Sequence, residues 1–316
     1  MRAARIHEYG DASVIRHDEV PQPVPGDGEV LVEVAATSFN PSDIGLRMGL
    51  LHSIFALELP YTLGWDVAGT VVEVGGGVRT PAVGDRVVGR VDTGGAAADF
   101  VVAAAGTVVP APDTLPLAHA AVLPVAGLTA WQAVYEHARL TPGQRVFVNG
   151  AGGGIGGIAV QLAKHAGAYV IATASPRSAD PVRRLGADVI VDYTVTPLAE
   201  ALDEPVDALL NLVPVDPAQG AALLALVRPG GILVSATGPV EAPAGSPVRT
   251  TRFVVRNDPG QLTELVGLVD AGIVRVEVAD ARPLAELASV HRAAEAGRTR
   301  GKTILIPPSA ARYATD

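Results

Sequence analysis

Short stretches of alternating apolar and polar residues fill the first hundred positions of the chain. The segment Glu29–Val34 alternates with a period of two and follows the turn sequence Pro-Gly-Asp-Gly at 25–28, which is typical of a half-buried strand. Similar segments at 67–74, 85–91 and 99–102 are separated by glycines. Short strands with Gly-rich turns predict a β-barrel or a β-sandwich for this region.

The pattern changes to helical spacing near residue 116, and from Arg145 strands and helices alternate. Apolar strands are predicted at 145–149, 169–175, 189–192, 206–213 and 231–236, with helices at 155–166, 177–185, 197–202 and 218–227 between them. Strands and helices that alternate at this spacing predict a parallel, doubly wound sheet. A strand at 251–255, helices at 261–270 and 284–296, and a last strand at 303–306 follow.

Composition narrows the chemistry. The 316 residues include no cysteine, which excludes disulfides, a thiolate nucleophile, iron–sulfur clusters and Cys-ligated zinc. The net charge of −9 argues against a nucleic-acid partner, which attracts basic surfaces. The N-terminus lacks the apolar stretch of a secretion signal, and Pro116, His119 and Pro124 interrupt the most apolar region, 115–131. We therefore predict no membrane span and a cytoplasmic protein.

The run Gly150-Ala-Gly-Gly-Gly-Ile-Gly-Gly157 lies between a predicted strand and a predicted helix. Glycines in this context let a dinucleotide pyrophosphate approach the backbone at a helix N-terminus. Two registers fit, Gly152/Gly154/Gly157 and Ala151/Gly153/Gly156. We prefer the second, because Gly156 then lies one turn into the helix, where it packs closely on the strand. The predicted contacts are Gly153, Gly154, Ile155 and Gly156, and the alternative is a flexible turn without a ligand.

The next predicted strand ends Thr173-Ala-Ser-Pro-Arg177, without the acidic residue that holds the ribose hydroxyls of NAD. Ser175 offers a hydroxyl, and Arg177 offers a cation whose planar donor fork suits phosphate. The sequence therefore favours NADP(H) over NAD(H). An ordinary solvated arginine at the start of a helix is the alternative reading of Arg177.

Several motifs together resemble the medium-chain dehydrogenase/reductase superfamily, and its zinc-free quinone oxidoreductase branch in particular. Besides the glycine loop, they are Ser38–Asp43, Leu63–Gly69, Glu73–Gly75, Val83–Val87, Pro124–Trp131, Gln161–Lys164, Leu185–Asp188 and Arg300–Lys302. The resemblance covers essentially the whole chain. It implies an α/β protein with a discontinuous GroES-like catalytic domain (1–122 and 257–316), a Rossmann NADP(H)-binding domain (123–256), and assembly as a homodimer.

The resemblance also assigns catalytic positions. Asn40 is expected near the nicotinamide and the substrate carbonyl, where its amide would donate a hydrogen bond to a developing enolate. Ser42 and Asp43 would support that loop. Tyr61, the only tyrosine near these motifs, is a candidate proton donor, with solvent as the alternative. For Asn40 the alternative is a turn residue before Pro41.

The same resemblance implies further cofactor contacts. Thr129 would reach the phosphate or nicotinamide side, and Tyr193 would lie near the adenosine ribose phosphate. The remaining positions assigned to the cofactor site are Leu212, Val213, Ser235, Ala236, Thr237, Val254 and Lys302.

Zinc-dependent members of the superfamily carry Gly-His-Glu where this chain has Gly64-Trp65-Asp66, and the seven histidines show no metal-ligand spacing. We therefore assign no metal. The predicted function is an NADPH-dependent reductase of quinones or α,β-unsaturated carbonyls. An enoyl reductase or tailoring enzyme acting on a polyketide-like intermediate, and a non-catalytic NADPH-binding protein, are the alternatives. The apolar loop 49–59, with Leu50, Leu51, Ile54, Phe55 and Leu57, suits a large hydrophobic substrate or ordinary core packing equally well.

Overall fold

The computed structural model describes residues 1–52 and 57–310, so Ile54 and Phe55 of the predicted substrate loop lie outside the described residues. In chain order, the strands of the described part are β1 (Arg2–Ile6), β2 (Ile15–Glu19), β3 (Glu29–Ser38), β4 (Tyr61–Thr62), β5 (Asp66–Val74), β6 (Arg86–Arg90), β7 (Phe100–Ala104), β8 (Val108–Pro110), β9 (Arg145–Asn149), β10 (Tyr169–Ala174), β11 (Val189–Asp192), β12 (Val206–Asn211), β13 (Val227–Ser235), β14 (Arg249–Arg252), β15 (Val278–Pro283) and β16 (Lys302–Ile306). The α-helices there are α1 (Pro41–Arg47), α2 (Leu128–Trp131), α3 (Gly154–His165), α4 (Ala179–Arg184), α5 (Pro217–Ala225), α6 (Pro259–Asp270) and α7 (Leu287–Glu295).

Backbone contacts divide the chain into two units. Unit 1 comprises residues 1–125, 257–271 and those from 276 onward, and unit 2 comprises 126–256 and 272–275. The division falls after Val125 rather than after residue 122, because Val125 donates its N–H to Asp66 of unit 1. Residues 272–275 group with unit 2, where Arg275 exchanges two hydrogen bonds with the side chain of Gln161.

Unit 1 is built on a mixed sheet in the order β15-β16-β3-β5-β6-β8, with β7 also paired to β3, and on a smaller sheet β2-β1-β4. Valines of β3, β5 and β6 form one core, and Val32, Val67 and Val87 are each at most 1% exposed. At Gly69 a Cβ atom would lie 2.2 Å from the carbonyl oxygen of Glu33. Only glycine therefore lets β3 and β5 approach this closely.

Unit 2 contains a parallel six-stranded sheet in the order β11-β10-β9-β12-β13-β14, which confirms the predicted doubly wound arrangement. Phe147, Ile171, Leu209 and Leu233 from four of these strands form its core and are at most 2% exposed. The chain proceeds from β9 to β10 and β11 on one side and resumes at β12 on the other. The carboxyl ends of β9 and β12 therefore form the switch point at which such sheets bind ligands.

The helical stretch Leu117–His137 is long and apolar enough to cross a membrane by length and composition. In the structure 89% of its most apolar window is buried inside the protein, and a buried core helix meets the same criteria. Contrary to the expected interruption, the stretch continues through Pro124, because Leu123–Gly127 adopts a π-helix. Pro124 lacks an N–H, and this geometry leaves the next N–H, that of Val125, to bond outside the helix.

Candidate cofactor loop and buried polar clusters

The glycine loop of unit 2 joins β9 to α3 without a side chain that caps the helix. Gly153 is the N-cap of α3 and carries no side-chain hydrogen bond, so the helix N-terminus is suited to bind an anion. A Cβ at Gly156 would lie 2.2 Å from the Gly150 carbonyl oxygen, whereas one at Gly157 would meet only a Leu185 methyl at 3.1 Å. The strict need for glycine at 156 favours the Ala151/Gly153/Gly156 register.

The end of β10 carries two serines beside this loop. Ser178 Oγ accepts the N–H of Ser175 at 3.1 Å and lies 3.3 Å from Ser175 Oγ. A Cβ at Gly152 would be 2.7 Å from Ser178 Oγ, so this hydroxyl packs against the loop. Arg177 is exposed, and no residue in 1–52 or 57–310 pairs with it. Sequence reasoning missed Ser178, although a serine at the N-cap of a helix is a recognisable signal.

The segment after β12 also contacts the glycine loop. Leu212 donates its N–H to the Asn149 carbonyl at 3.0 Å, and a Cβ at Gly150 would lie 2.7 Å from a Val213 methyl. Ser235 and Thr237, at the end of β13, join the same edge through Asn211, which donates to their hydroxyls at 3.2 and 3.4 Å. Sequence reasoning did not identify Asn211 as a site residue.

The structure thus brings Leu212, Val213, Ser235, Ala236 and Thr237 to the carboxyl edge of the sheet, since Ala236 donates its N–H to the Asn211 carbonyl at 3.0 Å. Three further positions are assigned to the cofactor. Thr129 is buried in α2, while Tyr193 and Val254 are 56% and 48% exposed. Their roles stay predictions.

In unit 1, the fully buried carboxylate of Asp66 is the centre of a polar cluster. Its Oδ1 accepts the Val125 N–H at 2.7 Å, and its Oδ2 accepts Asn40 Nδ2 at 2.8 Å and the Ser38 hydroxyl. Lys302 Nζ lies 3.8 Å from the same Oδ2. Asp66 is therefore well supplied with donors, as a buried carboxylate must be.

Lys302 was assigned to the cofactor, but the structure places its ammonium in this cluster. Nζ donates to Asn40 Oδ1 at 2.8 Å and to the Phe39 carbonyl at 2.9 Å, and the side chain is 5% exposed. Asn40 Nδ2 donates to Asp66 and, at 3.4 Å, to the Ser38 carbonyl. Both N–H groups of Asn40 thus have protein acceptors. The expected hydrogen bond from the Asn40 amide to an enolate stays a prediction.

Asp43, in the first turn of α1, is the second buried carboxylate of the cluster. It accepts the Asn40 N–H at 2.9 Å, and its expected support of this loop stays a prediction. Burial raises the pKa of Asp43 to about 7, and the charge of Asp66 adds to the rise. Burial also lowers the pKa of Lys302, which the two carboxylates oppose. The cluster therefore holds a carboxyl group that titrates near neutrality.

Tyr61, the candidate proton donor, lies in β4 with its hydroxyl against Gly94, where a Cβ would be 2.0 Å away. The hydroxyl is hydrogen-bonded to the side chain of Trp65, and burial raises its pKa, with a further rise from the charge of Asp43. An indole N–H only donates, so this hydrogen bond occupies a lone pair of the Tyr61 oxygen and not its proton.

The residues present do not fit a zinc ion. The described part of the chain contains no group of three or more His, Asp or Glu side chains placed to hold a metal, and the sequence has no cysteine. Trp65 occupies the position of the zinc-binding histidine, and Asp66 is already used by Asn40, Ser38 and Val125. These residues therefore offer no site for a zinc-dependent step of a reaction.

Two family descriptions match parts of the chain: the alcohol dehydrogenase GroES-like domain at residues 26–113 and the zinc-binding dehydrogenase at 185–305. A chloroplast envelope quinone oxidoreductase homolog of Arabidopsis thaliana is 41% identical over 213 residues, which are 65% of this chain and 64% of that protein. A quinone oxidoreductase of Mus musculus is 30% identical, with 97% of this chain and 98% of that protein covered.

Among solved structures, a quinone oxidoreductase of Escherichia coli in complex with NADPH superposes with a TM-score of 0.88 at 26% identity, covering 97% of this chain and all of that one. The chain belongs to the medium-chain dehydrogenase/reductase superfamily, in its quinone oxidoreductase-like branch. The expected pairing of a GroES-like domain with a Rossmann-type domain is confirmed. The chain spans only 64% of the length of the Arabidopsis relative that it matches.

Proposed function

We propose that the protein is an NADPH-dependent reductase of quinones or other α,β-unsaturated carbonyl compounds. The observation that carries the cofactor preference is the end of β10, where Ser175, Ser178 and an exposed Arg177 stand in place of an acidic residue. Hydroxyls and a guanidinium suit the 2′-phosphate of NADPH, whereas a carboxylate would repel it.

The remaining contacts follow from the carboxyl edge of the sheet in unit 2. The first N–H groups of α3, at Gly154, Ile155 and Gly156, would bind the pyrophosphate, and Tyr193 would lie beside the adenosine ribose phosphate. Leu212 and Val213 would form a wall of the same pocket. When bound, NADPH supplies the hydride for the reduction.

The described side chains of unit 1 do not form a set of zinc ligands, which supports a reductase that works without zinc. Without a Lewis acid, the acceptor must carry its own activation, as quinones and enones do. A proton must then reach the reduced product, and we propose the Tyr61 hydroxyl as its source. Tyr61→Phe is expected to lower kcat about tenfold with little change in the KM for NADPH. An unchanged kcat would leave solvent as the proton donor.

NADPH and NADH consumption, measured side by side on a panel of quinones, enones and enoyl thioesters, tests the proposal. Arg177→Ala is expected to raise the KM for NADPH about tenfold and to leave that for NADH unchanged, because only NADPH carries the 2′-phosphate. Arg184→Ala, an exposed arginine of the same unit, is the matched control. Equal use of both cofactors by the wild type would contradict the assigned role of Ser175 and Arg177.

Activity on the panel of quinones, enones and enoyl thioesters distinguishes the remaining functional hypotheses. Reduction of quinones or enones supports the proposal, whereas preference for enoyl thioesters would make the protein an enoyl reductase. NADPH binding without turnover of any acceptor would indicate a non-catalytic binding protein. We expect a small hydrophobic substrate, since the loop 49–59 is apolar.

We also propose a homodimer and a cytoplasmic location. Among the residues that the structure describes, β14 pairs only with β13 and ends the sheet of unit 2, so its free edge is available to a second copy. The strand begins at Arg249, two positions before the predicted start at Thr251. Sedimentation equilibrium tests the dimer. The location stays a prediction, because relatives include chloroplast and mitochondrial proteins.

A further inference from the structure

Four neighbouring strands of unit 2 each end, or nearly end, in a small polar residue. In sheet order these are Thr173 on β10, Asn149 on β9, Asn211 on β12 and Ser235 on β13. Asn211 is in register with both Asn149 and Ser235. All four are at most 6% exposed. A polar row this deep in an apolar sheet is costly unless every group is hydrogen-bonded.

The hydrogen bonds of this row run in one direction. Gly150 donates its N–H to Thr173 Oγ1 at 2.8 Å, and that hydroxyl donates to Asn149 Oδ1 at 3.3 Å. Asn149 Nδ2 then donates to Asn211 Oδ1 at 2.9 Å. The row of hydrogen bonds therefore begins at the backbone of the glycine loop and leads to Asn211, whose Oδ1 is an acceptor.

Beyond Asn211 the direction is fixed by two hydroxyls. Ser235 donates to the Gly238 carbonyl at 2.7 Å, and Thr237 donates to the Val213 carbonyl at 2.9 Å. With their protons used, both hydroxyl oxygens can act only as acceptors toward Asn211 Nδ2. One of the two Nδ2 hydrogens serves the Val213 carbonyl at 2.9 Å, and the two hydroxyls share the other at 3.2 and 3.4 Å. Asn211 must therefore accept on one side and donate on the other. An amide does both, whereas a carboxylate cannot donate.

We propose that Asn211 is a positioning residue for NADPH, which holds the glycine loop and the segment 235–237 in one arrangement across the switch point. It is fully buried, so it acts through Asn149, Thr173 and the Val213 carbonyl rather than by touching the cofactor. The inference rests on the proposed function and adds to it a residue that links the two sides of the cofactor edge.

The test measures the Kd for NADPH by the change in protein fluorescence, together with the Tm of each unliganded variant. Asn211→Asp keeps the size of the side chain and loses the donors, and is expected to raise the Kd about tenfold or more. Thr173→Val removes the acceptor for the Gly150 N–H and the donor to Asn149 Oδ1 but keeps the hydrogen bond between Asn149 and Asn211, and it is expected to raise the Kd about threefold. This milder variant keeps the test open if Asn211→Asp does not fold.

The matched control is Gln161→Ala, which removes a buried amide that also makes three hydrogen bonds to the backbone of unit 2. We expect it to lower the Tm without changing the Kd for NADPH. A similar Kd for wild type, Thr173→Val and Asn211→Asp would overturn the inference. Failure of the wild type itself to bind NADPH would instead overturn the proposed function, together with the inference that rests on it.

A double-mutant cycle distinguishes linkage from separate local damage. If Asn149 and Asn211 act through one row of hydrogen bonds, Asn149→Ala combined with Asn211→Ala raises the Kd about as much as either change alone. Fold-changes that multiply would show that the two residues act independently and would contradict the inference.

Discussion

The two units bury polar side chains in opposite ways. Asp66 in unit 1 and Asn211 in unit 2 are each fully buried centres of a cluster. Around Asp66 lie a second carboxylate and an ammonium, whereas the hydrogen-bond partners of Asn211 in the described part of the chain are amides, hydroxyls and carbonyls. Charged groups are costly to desolvate and change with pH, while neutral ones are cheaper to bury and do not titrate. Stability of unit 1 should therefore depend on charge pairing and pH, and that of unit 2 on hydrogen-bond direction and fit.

Removal of the Asp66 carboxylate should lower the free energy of unfolding the most. Asp66→Ala leaves Lys302 buried without its carboxylate partner and removes the acceptor of Val125, and we expect a loss of about 3–5 kcal/mol in the free energy of unfolding. Asn211→Ala should cost about 1–3 kcal/mol, because it leaves only neutral groups unpaired. Urea unfolding of the two variants measures both. Equal losses would contradict the contrast between the clusters.

The next largest effect is expected in the change of the free energy of unfolding with pH. Folded Asp43 keeps its proton up to about pH 7, whereas the unfolded chain releases it near 3.8. Between these values the folded state binds more protons, so the contribution of Asp43 to stability falls as pH rises, by up to about 1.4 kcal/mol per pH unit. Asp43→Asn should remove this slope. Urea unfolding at intervals from pH 4 to pH 8 measures it.

The titration of His291 in α7 changes stability with pH in the opposite direction. The effect of Asp43 must therefore be measured as the difference between the wild type and Asp43→Asn. Burial lowers the pKa of His291 to about 3, helped by the charge of Arg47, and this contribution is lost as pH falls from 6.5 towards 3. Subtracting the free energy of unfolding of Asp43→Asn from that of the wild type cancels the His291 contribution. A difference that does not vary with pH would show that Asp43 is ionised in the folded protein.

In unit 2, steric fit should matter more than charge. Gly156→Ala places a Cβ 2.2 Å from the Gly150 carbonyl oxygen, and we expect a loss of about 1–3 kcal/mol in stability and weaker NADPH binding at every pH. Gly157→Ala, whose Cβ meets only a flexible Leu185 methyl at 3.1 Å, is the matched control with a smaller loss. The opposite order would favour the Gly152/Gly154/Gly157 register.

The sequence predicted the regular parts of both units well. The alternation of strand and helix placed β9 and β11 at their observed bounds and α3 within one residue at each end. It missed five strands: β1, β2, β4, β8 and β15. Exposed polar residues hide the period of two in β2 and β15, two adjacent buried alanines break it in β1, and β4 and β8 have only two and three residues. The helix expected at 197–202 is only a 3₁₀ turn at Leu198–Glu200, since a segment this short has little apolar face to bury.

The site was predictable where backbone geometry imposes a residue type and unpredictable where long-range packing does. The glycine loop is readable because no other residue fits at Gly156. The partnership of Lys302 with Asn40 joins residues 262 positions apart, and no local pattern indicates it. Asn211 looked like an ordinary position within the strand predicted at 206–213, because its role depends on Asn149 and Ser235 in neighbouring strands.

The smallest loss of stability is expected at Ser175 and Ser178, the two serines that follow β10. Ser178→Ala removes the acceptor of the Ser175 N–H, and we expect a loss of about 0.5–1.5 kcal/mol in the free energy of unfolding, because one hydrogen bond to a neutral group is lost. A hydroxyl does not titrate between pH 5 and pH 8, so the loss should be the same at both values. Urea unfolding at the two pH values measures it, with Asp43→Asn as the variant whose effect does change. A Ser178→Ala loss that varied with pH as strongly as that of Asp43→Asn would show that a titrating group also acts on unit 2, and the contrast between a charged and a neutral cluster would fail there.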